Sequence, residues 1–498
     1  MKLNVTVFPE NITVTVPKNT SLYKAISLSG VSFSADCGGN GKCQKCKVKL
    51  LKGRVEGTLP DEKGMISSCK AILTEDVEIE LPESNLEKIN LVTLKNPENL
   101  KNLGAVLDIG TTTLAAALVD LTRGDVFKKA TCFNGQRVFG SDVLSRINAS
   151  KNGNLQKLQN IVIKQTNLLL KALSEGGSTK IQKLLVVGNT TMLHIFAGED
   201  PTSIGAYPFT PVFLESLNFK GEDLGVLAEE VTLLPSASAY VGADIVAGAL
   251  FCNFPNSNKN ELLVDVGTNG EMMLSVNGKL YATSTAAGPA LEGASMECGL
   301  SGSAGAINRV FFRGGKFGFT TVENAPAKGI CGSGYIDLIS LLLKEGIIDE
   351  YGGFEENSKS ALVKHLKNDR FYITDNVYLS KKDISEFQLA KSAIFSGIKA
   401  LLKHCNLREN QIETLYLAGG MGYHINPLNA AISGLIPISL YSKVKALENS
   451  ALEGAIQCIS NTENLKKTEE ISKTTEIVEL SFSTFFQDEY IKNMCFLK

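Results

Sequence analysis

This sequence is short of net charge, of histidine and of long apolar runs, and each shortage closes off a class of function. Lys and Arg number 50 against 52 Asp and Glu, a net charge of −2, so no basic field points to nucleic acid or to an anionic membrane surface. No stretch offers the ~18 uninterrupted apolar residues that span a bilayer. The richest, residues 239–254, is broken by Gly242, Asp244 and Gly248. The opening run MKLNVTVFPENITVTV alternates as a strand does and lacks the apolar core of a secretory signal. The expectation is a cytoplasmic chain that engages neither membrane nor nucleic acid. The four histidines, His194, His365, His404 and His424, share no metal-ligand spacing and read as structural. The phosphate loop G-x4-G-K-[ST] is missing too, as is a dinucleotide fingerprint in its strand–turn–helix setting.

What is present is enough for several domains, because 498 residues with 44% hydrophobic side chains exceed one ordinary core. Residues 1–82 read as a compact unit. Alternation in Leu3-Asn4-Val5-Thr6-Val7 and Ile12-Thr13-Val14-Thr15-Val16 predicts two strands. Ser21 caps a short amphipathic helix at 22–28, and strands at 48–51 and 77–81 complete a small mixed sheet clasping that helix. Residues 83–102, rich in Asn, Lys and Glu, read as a linker. If flexible, twenty such residues span roughly 25 Å; a strand hidden at 91–94 would shorten that reach. From 103 onward, apolar strands alternate with helical periods, the pattern of an α/β body. It divides as 103–258, with room for a middle subdomain, and 259–498. Within it, 462–476 reads as a solvated loop or frayed helix and 477–486 as a closing strand.

Cysteine is unevenly spread. Cys132, Cys252, Cys298, Cys331, Cys405, Cys458 and Cys495 are scattered singles, which in a reducing cytosol behave as small buried hydrophobes. The other four cluster as Cys37-x5-Cys43-x2-Cys46, with Cys69 further on. Three ligands on one loop with a distant fourth is the arrangement of plant-type and related [2Fe–2S] sites, whose plant spacing is one residue shorter in the first gap. The intervening Gly38-Gly39-Asn40-Gly41-Lys42 lets the backbone wrap closely and aim N–H groups at the sulfides. A four-cysteine zinc site usually shows two C-x2-C knuckles, and only one is present; zinc and four plain thiols remain the alternatives. A lone centre of this kind has no chemistry but electron transfer.

The body holds an internal echo. Ala105-Val106-Leu107-Asp108-Ile109-Gly110-Thr111-Thr112 is matched by Leu262-Leu263-Val264-Asp265-Val266-Gly267-Thr268-Asn269. Two such copies suggest a duplicated fold whose lobes face one ligand. Gly110 permits close approach, and the N–H groups of Thr111, Thr112 and Thr113 can cradle phosphate oxygens. Asp108 would hold Mg²⁺ through water, since that ion keeps much of its hydration shell. The second copy offers Asp265, Gly267, Thr268 and Asn269 to the same phosphates, with Glu271 behind to orient a water. A third element runs Leu415-Tyr416-Leu417-Ala418 into Gly419-Gly420-Met421-Gly422, leaving room for a flat ring, with His424 just beyond. Each glycine turn alone reads first as a structural strand end; the three in this order reverse that and argue for a nucleotide. The Gly/Ala/Ser-rich stretch 284–308 reads either as a partner-facing loop or as packing beside the second turn. Glu292 within it is a candidate functional carboxylate, with a cap or a solvated group as the default reading. Asp142 and Arg146, one helical turn apart, read as an i,i+4 ion pair.

At this point the chain resembles the superfamily of acetate kinase, sugar kinases, heat-shock chaperone ATPases and actin. Asp108 to Thr113 and Asp265 to Asn269 are similar to its two phosphate motifs, and Leu417 to Gly422 to its adenosine motif. Val241-Gly242-Ala243-Asp244 and Ala451-Leu452-Glu453-Gly454-Ala455 are similar to its connecting helices. With the [2Fe–2S] unit ahead of it, the whole resembles the reductive activators of corrinoid-dependent enzymes. Gly188-Asn189-Thr190-Thr191-Met192, Ala286-Ala287-Gly288-Pro289-Ala290-Leu291-Glu292-Gly293 and Leu389-Ala390-Lys391-Ser392-Ala393-Ile394 also match that family. The resemblance implies an α/β multidomain protein, with a β-grasp ferredoxin-like domain and two RNase H-like lobes closing over Mg·ATP. It implies ATP-driven reduction of Co(II) to Co(I) in the corrinoid protein of a methyltransferase system, a low-potential electron donor, and room for a homodimer. Competing readings are a phosphotransferase with a redox-regulatory cluster, an activator of the 2-hydroxyacyl-CoA dehydratase type, and a chaperone-like binding protein.

Overall fold

The computed structural model describes residues 1–496 except 10, 30, 32, 34–40, 42–45, 62–63, 83–88, 96–101, 176–179 and 420–424. In the first domain the strand Lys2–Phe8 buries Leu3, Val5 and Val7 and turns the residues between them outward. It forms a hairpin with Ile12–Pro17 and lies parallel to Val77–Glu80. Lys47–Lys52 and Met65–Ser67 extend the sheet. The helix Leu22–Ser29 packs Leu22, Ala25 and Ile26 into this core, so the sheet clasps one helix. The core also takes in Val138 from the body, and the Tyr23 hydroxyl donates to the Val138 carbonyl.

The body holds two sheets with one plan. In the first, the central strand Leu103–Ile109 runs into an antiparallel meander, Thr113–Asp120 then Val126–Phe133. On its other side lie two parallel strands, Lys183–Gly188 and Glu230–Leu233. In the second, Asn260–Val266 meanders into Gly270–Val276 and Lys279–Thr285, with Thr414–Ala418 and Val444–Ala446 parallel on the other side. The shared order is that of RNase H-like lobes, and the sequence echo marks the first strand of each. The helices Ala243–Phe251 and Ser450–Ile459 cross between the lobes at contact distance. A Cβ on Gly454 would stand 2.0 Å from the Ala247 carbonyl oxygen, so only glycine lets these backbones approach.

Two segments take an alternative that the sequence reading left open, and a third differs from it. Asn90–Thr93 is a strand, added at the edge of the first sheet beside Val126–Phe133, so this part of the 83–102 stretch is fixed to the body. Thr462–Thr474 is a helix capped by Asn461, with Thr468 and Ile471 buried; two inward residues per three turns suffice to pack an otherwise charged segment. The expected closing strand at 477–486 shrinks to Glu476–Ile477, after which Ser483 caps the helix Thr484–Lys492. A good cap outweighed the alternation of apolar residues. Among the described residues no helix is long and apolar enough to cross a membrane.

Candidate functional site

Strand register brings the separate motifs to one place. Asp108 pairs with Val187, at the end of the strand that leads into Asn189. Asp265 pairs with Ala418, one residue before Gly419. The two echoed aspartates thus end the central strands of both sheets, half-buried and within electrostatic reach of each other.

The first turn is tight because Gly110 has no side chain: a Cβ there would lie 2.5 Å from the Thr113 carbonyl oxygen. Side chains hold it from behind. Asn134 Nδ2 donates to the Gly110 carbonyl at 2.9 Å, Asn189 Nδ2 to the Thr111 hydroxyl at 3.1 Å, and Arg146 Nη2 to the Thr111 carbonyl. Arg146 is fully buried and also donates to Gln136 Oε1 at 3.2 Å. Burial, with Arg137 nearby, pulls its pKa down to about 9. The expected ion pair with Asp142 gives way to this: Asp142 caps its helix through the Ser145 N–H at 2.8 Å, and Arg146 turns inward. Thr113 is exposed and opens the next strand.

The second turn is held by acids. Thr268 is buried; its hydroxyl donates to Glu292 Oε2 at 2.7 Å, and its carbonyl accepts from the Gly288 N–H at 2.9 Å. The 286–293 part of the small-residue stretch therefore packs beside this turn. Glu271, buried and opposite Asp265, accepts from the Gly242 N–H at 3.0 Å and meets Asp244 on the helix Ala243–Phe251. Gly267 and Asn269 are half-buried. Gly419 has a left-handed φ of +97°, and a Cβ on it would lie 2.6 Å from Asp265 Oδ1, so the third element presses on the second. Gly420, Met421, Gly422 and His424 lie outside the described residues.

Five carboxylates converge, and none is in an ion pair among the described residues. Withdrawal from water pushes Asp108 up to about 7, opposed by a 2.7 Å hydrogen bond from Asn449 Nδ2 and assisted by Asp244. Burial, then Asp244, Asp108 and Glu292, push Asp265 up to about 8. Burial raises Asp244 to about 6 and lifts Glu271 well above the ordinary carboxylate range, next to each other as they are. Such a cleft is unfavourable until a cation or its protons neutralise it. Among the described residues no three His, Cys, Asp or Glu side chains form a ready metal cage. One or two carboxylates, with waters and phosphate oxygens completing the shell, is how Mg²⁺ is usually held, and this donor set fits that ion.

Asn449 is a residue of this cleft that the sequence reading passed over, and Asp244 and Asn189 stood there only inside family-matching segments, with no role given. Each caps or opens a helix at a cleft-facing end, a signal of polar residues that begin apolar helices. In the first domain the Ser68 N–H donates to the Cys46 carbonyl at 2.9 Å, which sets Cys46 beside the residue that precedes Cys69; Cys37 and Cys43 lie outside the described residues. The singles Cys132 and Cys458 are buried thiols pushed up to about 12. His194 is structural: Nε2 accepts from the Val212 N–H at 2.9 Å, which leaves Nδ1 to donate to the Thr190 carbonyl.

Comparison with known proteins matches three family models along the chain. Residues 5–74 match the 2Fe-2S iron-sulfur cluster binding domain, 103–257 the RACo middle region, and 259–498 the C-terminal domain of RACo, the ASKHA domain. The chain is 31% identical over 419 residues to the corrinoid activation enzyme RamQ of Eubacterium limosum, covering 79% of this chain and 70% of that protein. It is 22% identical over 432 residues to the [Co(II) methylated amine-specific corrinoid protein] reductase of Methanosarcina barkeri, covering 78% and 76%. A solved structure titled reductive activator for corrinoid, iron-sulfur protein superposes with a TM-score of 0.74 at 27% identity, covering 99% and 98%.

Proposed function

The chain belongs to the family of reductive activators of corrinoid-dependent enzymes, and from that premise we propose that it reduces the inactive Co(II) state of a methyltransferase system's corrinoid protein to Co(I), with ATP as the energy source. The observation that carries this reading is the approach of Asp108 and Asp265 from two lobes, with the segment 134–138, whose Asn134 holds the turn after Asp108, touching the ferredoxin-like domain through Val138.

On this reading Cys37, Cys43, Cys46 and Cys69 hold a [2Fe–2S] cluster, which supplies one electron at a time. The Ser68 to Cys46 hydrogen bond supports the pairing of two of them. Asp108 and Asp265 hold hydrated Mg²⁺ against the phosphates of ATP, which neutralises charge that is otherwise uncompensated. Gly110 to Thr113 and Gly267 to Asn269 receive those phosphates, Gly419 to Gly422 the adenosine, and Glu271 orients a water through its partner Asp244. The chain's own task is to close the lobes over ATP and so control binding and release of the corrinoid protein.

The need for ATP follows from potentials. Plant-type [2Fe–2S] centres sit near about −400 mV, Co(II) with a lower axial ligand is harder to reduce, and each tenfold in a one-electron equilibrium is about 59 mV. Binding the partner in one nucleotide state and altering its axial ligation closes that gap. Anaerobic stopped-flow reduction of a Co(II) corrinoid protein, with a low-potential donor, tests the coupling. The Co(I) yield should rise with ATP; equal yields with and without it would refute the proposal.

A further inference from the structure

Glu292 has no task in that reading, yet its carboxylate sits between the two phosphate turns. It closes the short turn Pro289–Glu292. Its Oε2 accepts from the Thr112 hydroxyl of the first turn and from the Thr268 hydroxyl of the second at 2.7 Å. Its Oε1 lies 3.6 Å from where a Cβ would stand on Gly267. Thr112 and Thr268 lie in turns of different sheets, so one carboxylate oxygen ties the lobes together where the turns meet.

To a hydroxyl, a carboxylate oxygen and a phosphate oxygen are the same kind of partner. They cannot both use these two threonines, since each hydroxyl has one proton to donate. Glu292 also lies near enough to Asp265 to help raise its pKa, so a triphosphate arriving beside it would add negative charge to negative charge. Any movement belongs to the Glu292 side chain and the Gly288 end: Gly288 has a left-handed φ of +74° and nothing stands within 4 Å of a Cβ placed on it, whereas Ala290 and Leu291 are buried and Gly293 abuts the Leu300 backbone.

The geometry points to Glu292 as an internal stand-in for phosphate, which holds Thr112 and Thr268 in the nucleotide-free cleft and swings out when a nucleoside triphosphate takes those hydroxyls. It is a specificity-setting residue: only an occupant that brings anionic oxygen to both turns displaces it. The inference rests on the nucleotide reading of the cleft and deepens it.

Calorimetric titration of the full chain with a non-hydrolysable ATP analogue, with and without Mg²⁺, compares wild type with Glu292→Gln and Glu292→Asp, each checked for a native thermal transition. One variant is uncharged and the other is too short to hold both hydroxyls. A site filled by its own side chain binds more weakly in proportion to the time it is filled. Both variants should therefore bind the analogue about tenfold tighter in either condition, with adenosine affinity unchanged. Equal or weaker analogue binding by both variants overturns the proposal, and weakening confined to Mg²⁺ would mean that Glu292 acts on the cation instead. No binding of the analogue by wild type would overturn the nucleotide reading itself.

Discussion

The two Asp-x-Gly turns share a sequence pattern and a place in the fold, but the chemistry behind them differs. Behind the first stand donors: Asn134, Arg146 and Asn189 grip the Gly110 and Thr111 carbonyls and the Thr111 hydroxyl. Behind the second stand acids: Glu271 opposite Asp265, and Glu292 on the Thr268 hydroxyl, from where it also reaches the Thr112 hydroxyl of the first. Donors bonded to backbone carbonyls keep their partners whether or not the cleft is filled. Acids answer to what enters, because a cation, a proton or a phosphate changes their energy. The first turn is a fixed anchor and the second a responsive element.

The largest test of that contrast is on the anchor. Arg146→Met removes a fully buried cation and leaves the Thr111 carbonyl and Gln136 without their donor. Chemical denaturation should show a loss of roughly 4 kcal/mol, since several charged hydrogen bonds go at once; a loss below about 1 kcal/mol would mean that the turn holds itself. The responsive side should behave in the other direction. In the folded chain Asp265 keeps its proton to about pH 8, whereas in the unfolded chain it ionises near about 4. Between those values the folded state binds the extra proton, so without divalent cations stability falls as pH rises through that window. Asp265→Asn should flatten the fall and gain roughly 2 kcal/mol at pH 8, after allowing for water at a half-buried group, while losing affinity for Mg·ATP. Urea midpoints from pH 4 to 8 decide it: an unflattened profile would place the responsive charge elsewhere.

The sequence was most legible where structure is local or repeated. Alternation set the strand Lys2–Phe8, Ser21 marked the start of Leu22–Ser29, and the paired Asp-x-Gly turns marked the first strand of each sheet. It was least legible where topology joins distant residues. Asn449 reaches Asp108 across 341 positions and Glu292 reaches Thr112 across 180; neither spacing has a period to read. Arg146 was misread for a related reason. The i,i+4 rule describes exposed helix faces, and this arginine is on an inward face, where the empty carbonyl of Thr111 outbids a neighbouring carboxylate already used as a cap.

The smallest expected effect concerns how the anchor is joined to the electron carrier. One short stretch touches both: Asn134 holds the Gly110 carbonyl, Gln136 receives Arg146, and Val138 enters the core of the first domain and accepts from the Tyr23 hydroxyl. Tyr23→Phe removes only that hydroxyl and leaves the packing of Val138. One hydrogen bond contributes about 1 kcal/mol, so the body should unfold unchanged while the ratio of docked to undocked first domain falls about fivefold, and the docked fraction falls with it. Pulsed spin-label distances between the first domain and the helix Leu155–Leu173 would read that fraction. If nucleotide at the first turn favours docking, docking must favour nucleotide by the same factor. ATP should then narrow the distance distribution in wild type and do so less in the variant. Distances indifferent to both ATP and the substitution would make the contact a packing accident, and the anchor would steady phosphate without reporting on it to the cluster.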